Sequence, residues 1–417
     1  MALLFTHIKQ LVNTREGKLP LKGPALAELP VIENAFLLVD EGRIKMFGPM
    51  HDLELYMTDL PPEVIDLSGK FVLPSYCDSH THLVFAGSRE TEFVDKIKGL
   101  SYAEIAAKGG GILNSASKLA DMPEDELFET SLKRLKLVQS MGTGAIEIKS
   151  GYGLTLESEI KMLRVIRRLK EHTGMLIRST FLGAHSFPVE YRDKQEDYIK
   201  LLVERMLPQI AEEGLADYID VFCEKGFFSP EQTGRICDAG AKYGLQPKLH
   251  VNQLNSIGGI ETGIRHRAVS LDHLETLTKE EIEMLGNWSG VSTLLPTAAF
   301  FLRMNYQPAR ELIEAGANVS LASDFNPGSS PGGNMNFVIA LACIQMKMLP
   351  EEAINAATIN GAVAMGVENE AGSIAQGKRA NLIITQTMPS LEYLPYNFSH
   401  NMIDRVMVDG QWTDKLN

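Results

Sequence analysis

The chain has 417 residues, 44% of them apolar, and a formal net charge of −13 from 40 basic and 53 acidic side chains. Its length suits one large domain with a smaller companion, and its acidity excludes nucleic acid and anionic membrane as expected partners, because both need a basic patch. No apolar run is long enough to cross a bilayer, Met1–His7 lacks the features of a signal peptide, and Cys77, Cys223, Cys237 and Cys343 show no Cys-x-x-Cys spacing, so a cytoplasmic protein with reduced thiols is expected.

In chain order, the first clear element is a β-hairpin: Ala35–Val39, a turn at Asp40-Glu41-Gly42, then Arg43–Gly48. The C-terminal end has the same texture, with Asn381–Thr385 and with Arg405–Val408 before Asp409-Gly410. Strands at both ends predict a small β-sandwich domain assembled from residues 1–70 and 369–417. Between them, over residues 71–368, short apolar strands alternate with amphipathic helical stretches. Ile160, Leu163, Ile166 and Leu169 form one such apolar stripe. Strand-like runs end near His82, Lys149, Ala184, Glu224, His250, His273, Leu295 and Asp324. Eight strands with helices between them predict an α/β fold, a (β/α)8 barrel. The long first gap holds Lys108-Gly109-Gly110-Gly111-Ile112, expected as a mobile loop over the site; without a following Gly-Lys-Ser/Thr it is not a phosphate loop.

Active sites of such barrels lie at the C-terminal ends of the strands. There the sequence places His80, His82, Lys149, His185, Glu224, His250, His273 and Asp324, including five of the ten histidines. His80-Thr81-His82 puts two imidazoles on one face of an extended segment, close enough to share a cation, and imidazole suits zinc, iron, nickel and copper. On its own, a His-x-His is equally well explained as two polar residues at a strand end. His7, His51, His172, His266 and His400 sit in polar or terminal surroundings and are read as surface residues.

Residues 73–82, Leu-Pro-Ser-Tyr-Cys-Asp-Ser-His-Thr-His, resemble the first-strand signature of the amidohydrolases, Pro-Gly-x-x-Asp-x-His-x-His, with Ser75 replacing the usual glycine. Residues 372–382 resemble that superfamily's closing pattern, with Asn381 where aspartate is usual. More narrowly, the stretches 85–90, 147–155, 182–185, 271–275 and 323–329 are similar to the imidazolonepropionase family, and the resemblance covers nearly the whole chain. It implies a hydrolase acting on a carbon–nitrogen bond of a cyclic amide, 4-imidazolone-5-propanoate, with N-formimidoyl-L-glutamate as product. It also implies one divalent metal per chain, zinc or iron, held by His80, His82, His250 and Asp324. Such a metal lowers the pKa of a bound water from about 16 toward 7.

Asp324 and His273 are the expected proton carriers, and His185 is expected to help stabilise the oxyanion. Arg89 would hold the substrate's propionate bidentately. Tyr152 and His185 would contact the ring and carboxylate, and Asn326, Gly328 and Ser329 the product's new carboxylate. Gln253 stands where some members carry an acid; it can hydrogen-bond ring nitrogens but cannot transfer a proton. Some amidohydrolases bridge two metals with a carboxylated lysine on strand four. Lys149 ends strand two, so a single metal is expected, with Lys149 as an ion-pair partner. Glu224 is read as an acceptor for a histidine N–H or as part of the polar barrel end. A homodimer is expected from the resemblance. Another mononuclear amidohydrolase, such as a heterocycle deaminase, would leave Arg89 without a carboxylate; a non-catalytic scaffold would have no use for four intact ligands.

Overall fold

The computed structural model describes residues 2–17, 20–100 and 110–413. The two ends of the chain build one mixed sheet. Its N-terminal strands are β1 (Leu3–Val12), β2 (Val31–Asp40), β3 (Arg43–Pro49), β4 (Glu63–Asp66) and β5 (Phe71–Pro74). The middle of the chain supplies β6 (Tyr76–Asp78), β7 (Thr143–Lys149), β8 (Leu176–Ala184), β9 (Tyr218–Cys223), β10 (Gln246–Val251), β11 (Ser270–His273), β12 (Val291–Leu294) and β13 (Val319–Leu321). The C-terminal end returns with β14 (Leu382–Thr385), β15 (Ile403–Val408) and β16 (Gln411–Trp412).

The terminal sheet runs β16-β15-β14-β5-β1-β2-β3, with β4 beside β1. Its inner face buries Phe5, Ile8, Leu11, Leu37, Val39, Val72, Leu382, Ile384 and Met407 in a core of its own. The stitch between the two ends is the antiparallel pairing of β14 with β5, Leu382 opposite Pro74.

The apolar run from Phe71 to Ser79 reads as one strand in the sequence but folds as two. Pro74 has no amide to continue a ladder, and at Ser75 the chain leaves one sheet for the other. The Ser75 amide still donates to the Asn381 carbonyl (2.9 Å), while the next amide, of Tyr76, donates to Gly142 in the barrel (2.9 Å). The crossing is tight: a side chain at Gly144 would collide with Ser75.

Strands β6 to β13 form a parallel sheet in strict chain order, buried on both faces as parallel sheets are; every residue of β7 and β9, for example, is buried. Its two edges meet just past β6 and β13. The Asp324 amide donates to the His80 carbonyl (3.0 Å) and the His82 amide to the Phe325 carbonyl (2.9 Å). The barrel's closing seam therefore carries three of the expected ligands. The helix Leu156–Thr173 shows how the connecting segments pack. Thr155 caps it through Ser158 N (3.2 Å), Gly174 ends it in the left-handed region, and its buried face contains the predicted Ile160, Leu163, Ile166 and Leu169.

Of the glycine run expected over the site, Lys108 and Gly109 lie outside the described residues. Gly111 precedes the helix Ile112–Asp121 and donates its amide to Glu92 (2.9 Å). Among the described residues no helix is long and apolar enough to cross a membrane.

Candidate active site

The barrel seam and β10 bring His80, His82, His250 and Asp324 together. Nε2 of His250 lies 3.3 Å from Nε2 of His82, and Oδ1 of Asp324 lies 3.6 Å from His80 Nε2 and 3.7 Å from His82 Nε2. His273, at the end of β11, joins His80 and Asp324 in a second grouping of ligand atoms around the same point. Two observations fit these residues to a divalent cation. His80 Nε2 is buried without a hydrogen bond among the described residues. Burial, reinforced by Lys149 and the neighbouring histidines, holds the His80, His82 and His250 imidazoles well below the usual histidine pKa. They are neutral, as metal ligation requires. Three imidazoles and one carboxylate are the donor set of a catalytic metal site with an open position.

The backbone at Asp324 and beside the other site residues is strained. His273 (φ 89°), Asp324 (φ 51°) and Asn252 (φ 54°) all adopt the left-handed region, which side-chain-bearing residues enter at a cost and keep chiefly at functional sites.

Above this cluster opens a cavity of about 450 Å³. Arg89, Tyr152, His185, Gln253, Asn326, Gly328 and Ser329, all of the substrate contacts expected from the sequence, line this one cavity. The His185 ring stacks on His82 with centroids 5.2 Å apart, Tyr152 lies 5.5 Å from His185, and the Arg89 guanidinium sits 5.5 Å from the Tyr152 ring. Arg89 Nε donates to Ser115 Oγ (2.8 Å). Its Nη2 is buried with no partner among the described residues, a charged donor left open toward an acceptor. Gly328 packs on the same guanidinium so closely that any side chain there would strike Nη1.

The amidohydrolase family profile matches residues 71–413. The imidazolonepropionase of Flavobacterium johnsoniae is 53% identical over 412 residues, covering 99% of this chain and 100% of the relative. That of Clostridium tetani is 42% identical over 395 residues, covering 95% and 93%. This chain belongs to the imidazolonepropionase family of amidohydrolases. Among solved structures, E. coli guanine deaminase superposes with a TM-score of 0.74 over 100% of both chains. A zinc-bound adenosine deaminase from Xanthomonas campestris gives 0.70 over 98% of this chain and 92% of its own. Each is 16% identical to this chain, so the likeness is one of fold.

In this imidazolonepropionase family member, sequence reasoning missed the carboxylates behind the histidines. Asp272 Oδ2 lies 2.6 Å from His80 Nδ1, Asp220 Oδ2 lies 2.8 Å from His250 Nδ1, and Glu275 Oε1 lies 3.3 Å from His273 Nδ1. Each carboxylate fixes the Nδ1–H tautomer and leaves Nε2 as the ligand or acceptor atom. The signal was present for one of them: Asp220 is a lone acid inside the otherwise uncharged strand Tyr-Ile-Asp-Val-Phe-Cys. Sequence reasoning also missed Glu92, Lys96, Phe222 and Phe227, which line the cavity.

Glu224 does not serve a histidine. It accepts from the amides of Lys225 (2.8 Å), Leu254 (2.9 Å) and Asn255 (3.2 Å), holding the loop after β10. Lys149, on the second barrel strand, is an ion-pair partner: its Nζ lies 2.7 Å from Glu147, 2.9 Å from Asp220 and 3.6 Å from Asp272. Of the five histidines read as surface residues, His7, His51, His172 and His400 are exposed; His266 is half-buried beside Asp238 (3.0 Å).

Two groups of expected substrate contacts already hydrogen-bond within the protein. His185 Nδ1 lies 3.1 Å from the Gly151 carbonyl, and burial lowers the ring's pKa to about 4. With Nδ1 donating to that carbonyl, a neutral ring offers Nε2 as an acceptor. The amides of Gly328 and Ser329 both already donate to Asn326 Oδ1 (2.8 Å each). The turn therefore buttresses Asp324, whose backbone carbonyl accepts from Asn326 Nδ2 (2.6 Å) and whose Oδ2 accepts from Ser329 Oγ (3.2 Å).

Proposed function

We propose that this chain hydrolyses the cyclic amide of 4-imidazolone-5-propanoate to N-formimidoyl-L-glutamate, a step of histidine breakdown. The observation that carries this reading is the open, buried Nη2 of Arg89 in a cavity that adjoins the ligand cluster through His185, whose ring stacks on His82. It joins a carboxylate-binding cation to a hydrolytic centre. A heterocycle deaminase acting on an uncharged ring would leave that donor unpaired, at a cost of about 1–3 kcal/mol or more.

His80, His82, His250 and Asp324 would hold one divalent ion, zinc or iron, through three Nε2 atoms and Asp324 Oδ1. When bound, such an ion polarises the ring carbonyl and activates water at neutral pH. Arg89 grips the propionate with its fork, and the Tyr152 face beneath it limits its movement. Gln253 hydrogen-bonds the ring, and His185 Nε2 accepts from a ring N–H, which orients the carbonyl toward the ligand cluster.

The water oxygen bonds to the carbonyl carbon, the carbon–nitrogen bond breaks, and the departing nitrogen must gain a proton. Two groups are suited to carry it. Burial raises the Asp324 carboxyl to about 6, against the pull of His273 and hydrogen bonds from Asn326 and Ser329. With Oδ1 beside the His80 and His82 imidazoles, Oδ2, which accepts from Ser329 Oγ, would carry the proton. For His273, burial is the largest influence and lowers its pKa, but Glu275, Asp324 and Asp272 together outweigh it and leave the ring above the usual histidine value. Phe222 and Phe227, 4.6 Å apart, wall the cavity and limit water.

The reading includes a homodimer in the cytoplasm, where the four free cysteines stay reduced. Loss of imidazolone absorbance on mixing authentic substrate with metal-loaded protein tests the activity. No loss with protein that holds one ion per chain would refute it.

A further inference from the structure

The barrel interior beneath the ligand cluster holds charges that the mechanism above does not use. Lys149, Lys248, Glu147, Asp220 and Asp272 all have fully buried side chains. Lys248 anchors Glu147 (2.9 Å) and donates to the Ala364 carbonyl (2.8 Å). Lys149 also meets Glu147 (2.7 Å), and although the Lys248 charge acts on Asp272 too, among the described residues only Lys149 comes within ion-pair distance of it. Its single Nζ reaches Asp220 at 2.9 Å and Asp272 at 3.6 Å, and these are the carboxylates that hold His250 and His80. Lys149, Asp220 and Asp272 come from the alternate strands β7, β9 and β11, the pattern by which one layer of a barrel interior is filled.

We propose that Lys149 is a positioning residue for the metal site, its one buried ammonium bridging the two carboxylates that aim His80 and His250 and thereby setting how tightly the site holds a divalent ion. This rests on the reading of those histidines as ligands. Two carboxylates inside a dry barrel repel one another, and each costs several kcal/mol to bury unpaired. An ammonium between them offsets that repulsion and keeps both turned toward Nδ1 of their histidines. That fixes two Nε2 atoms, contributed by distant strands, on one point. Without it the carboxylates turn apart, and both imidazoles lose their orientation together.

Lys149→Met keeps the length of the side chain and removes the charge, leaving one ammonium against three carboxylates in the network. Lys149→Met combined with Glu147→Gln restores the original net charge of −1 without restoring the bridge, because Glu147 touches no histidine. Zn2+ affinity is measured on apo protein by competition with a coloured chelator, with circular dichroism as the check on fold. The expected result is a folded apo double variant whose Zn2+ affinity is about 10- to 100-fold below wild type, the usual effect of losing a partner behind a metal ligand. Wild-type affinity in the double variant would overturn the proposal, since charge balance alone would then be what Lys149 supplies. Failure of both variants to fold would also overturn it, making Lys149 a folding residue. A wild type that binds no Zn2+ would instead bring down the ligand assignment on which the proposal stands.

Discussion

Replacing Arg89 by methionine tests the substrate assignment most sharply. The guanidinium is half-buried, tethered at Nε by Ser115 and wedged at Nη1 by Gly328, with Nη2 buried and open. Truncating one partner of a fully buried charge pair costs about 2–5 kcal/mol. Half-burial favours the lower part of that range, about 2–3 kcal/mol, or roughly 30- to 150-fold in kcat/KM. Arg89→Lys should recover only part of the loss, because a point charge cannot reproduce two parallel hydrogen bonds. The assay compares kcat/KM on imidazolone propionate with that on an imidazolone lacking the propionate, alongside metal content. Wild type should handle the truncated substrate poorly, and Arg89→Met no worse. An equal loss on both substrates, or a loss of metal, would refute the reasoning: Arg89 would then be supporting the loop or the ligands and not binding a carboxylate.

His250→Ala should hold far less than one ion per chain and be inactive while remaining folded; activity near wild type in metal-free buffer would remove it from the ligand set. Wild type should reach full activity with one ion per chain, and bicarbonate should have no effect on reconstitution, since Lys149 is engaged by carboxylates; two tightly held ions per chain would contradict this. Gly144→Ala forces β7 away from Ser75 at the crossing between sheets and should cost about 1–3 kcal/mol in urea unfolding, so an unchanged midpoint would mean the crossing yields freely. Hydrogen bonds from Arg164 and Gln209 lower the Glu213 carboxyl to about 2 against the opposing effect of burial. Because the native value is depressed, the Arg164–Glu213 contribution is present above the ordinary carboxylate pKa of about 4.3 and is lost as pH falls toward 2. The pair is partly exposed, so Arg164→Gln should cost about 0.3–1 kcal/mol at pH 7, and a penalty that grew on acidification would show the sign to be wrong.

Much of this molecule is encoded within a few residues of each position. His80 and His82 fall just past β6, with Thr81 bridged to Phe325, and both imidazoles still lie beside Asp324 as their period-two spacing predicts. The 3.6-residue stripe of Ile160, Leu163, Ile166 and Leu169 is buried for the same local reason. Once strands and helices alternate, parallel order and right-handed crossovers leave few arrangements. The ends of the strands, and with them five histidines and Asp324, then share one mouth. That is why strand order alone gathers those residues at one end of the barrel, whereas Arg89, Tyr152 and Gln253 came from the family resemblance and Glu92, Lys96, Phe222 and Phe227 carried no signal.

Tertiary structure decided the pairings between side chains far apart in sequence. Asp272 reaches His80 across 192 residues and Asp220 reaches His250 across 30. No local period encodes which acid meets which imidazole, because that depends on the stagger between barrel strands. The same holds for the proton on His185, set by the Gly151 carbonyl on a neighbouring loop, and for the ammonium of Lys149, whose partners lie on strands two and four places around the barrel. Pro74 and Ser75 mark the boundary between the two kinds of information. Proline signals locally that a ladder must stop, but only the packing of Ser75 against Gly144 shows that the chain changes sheets there.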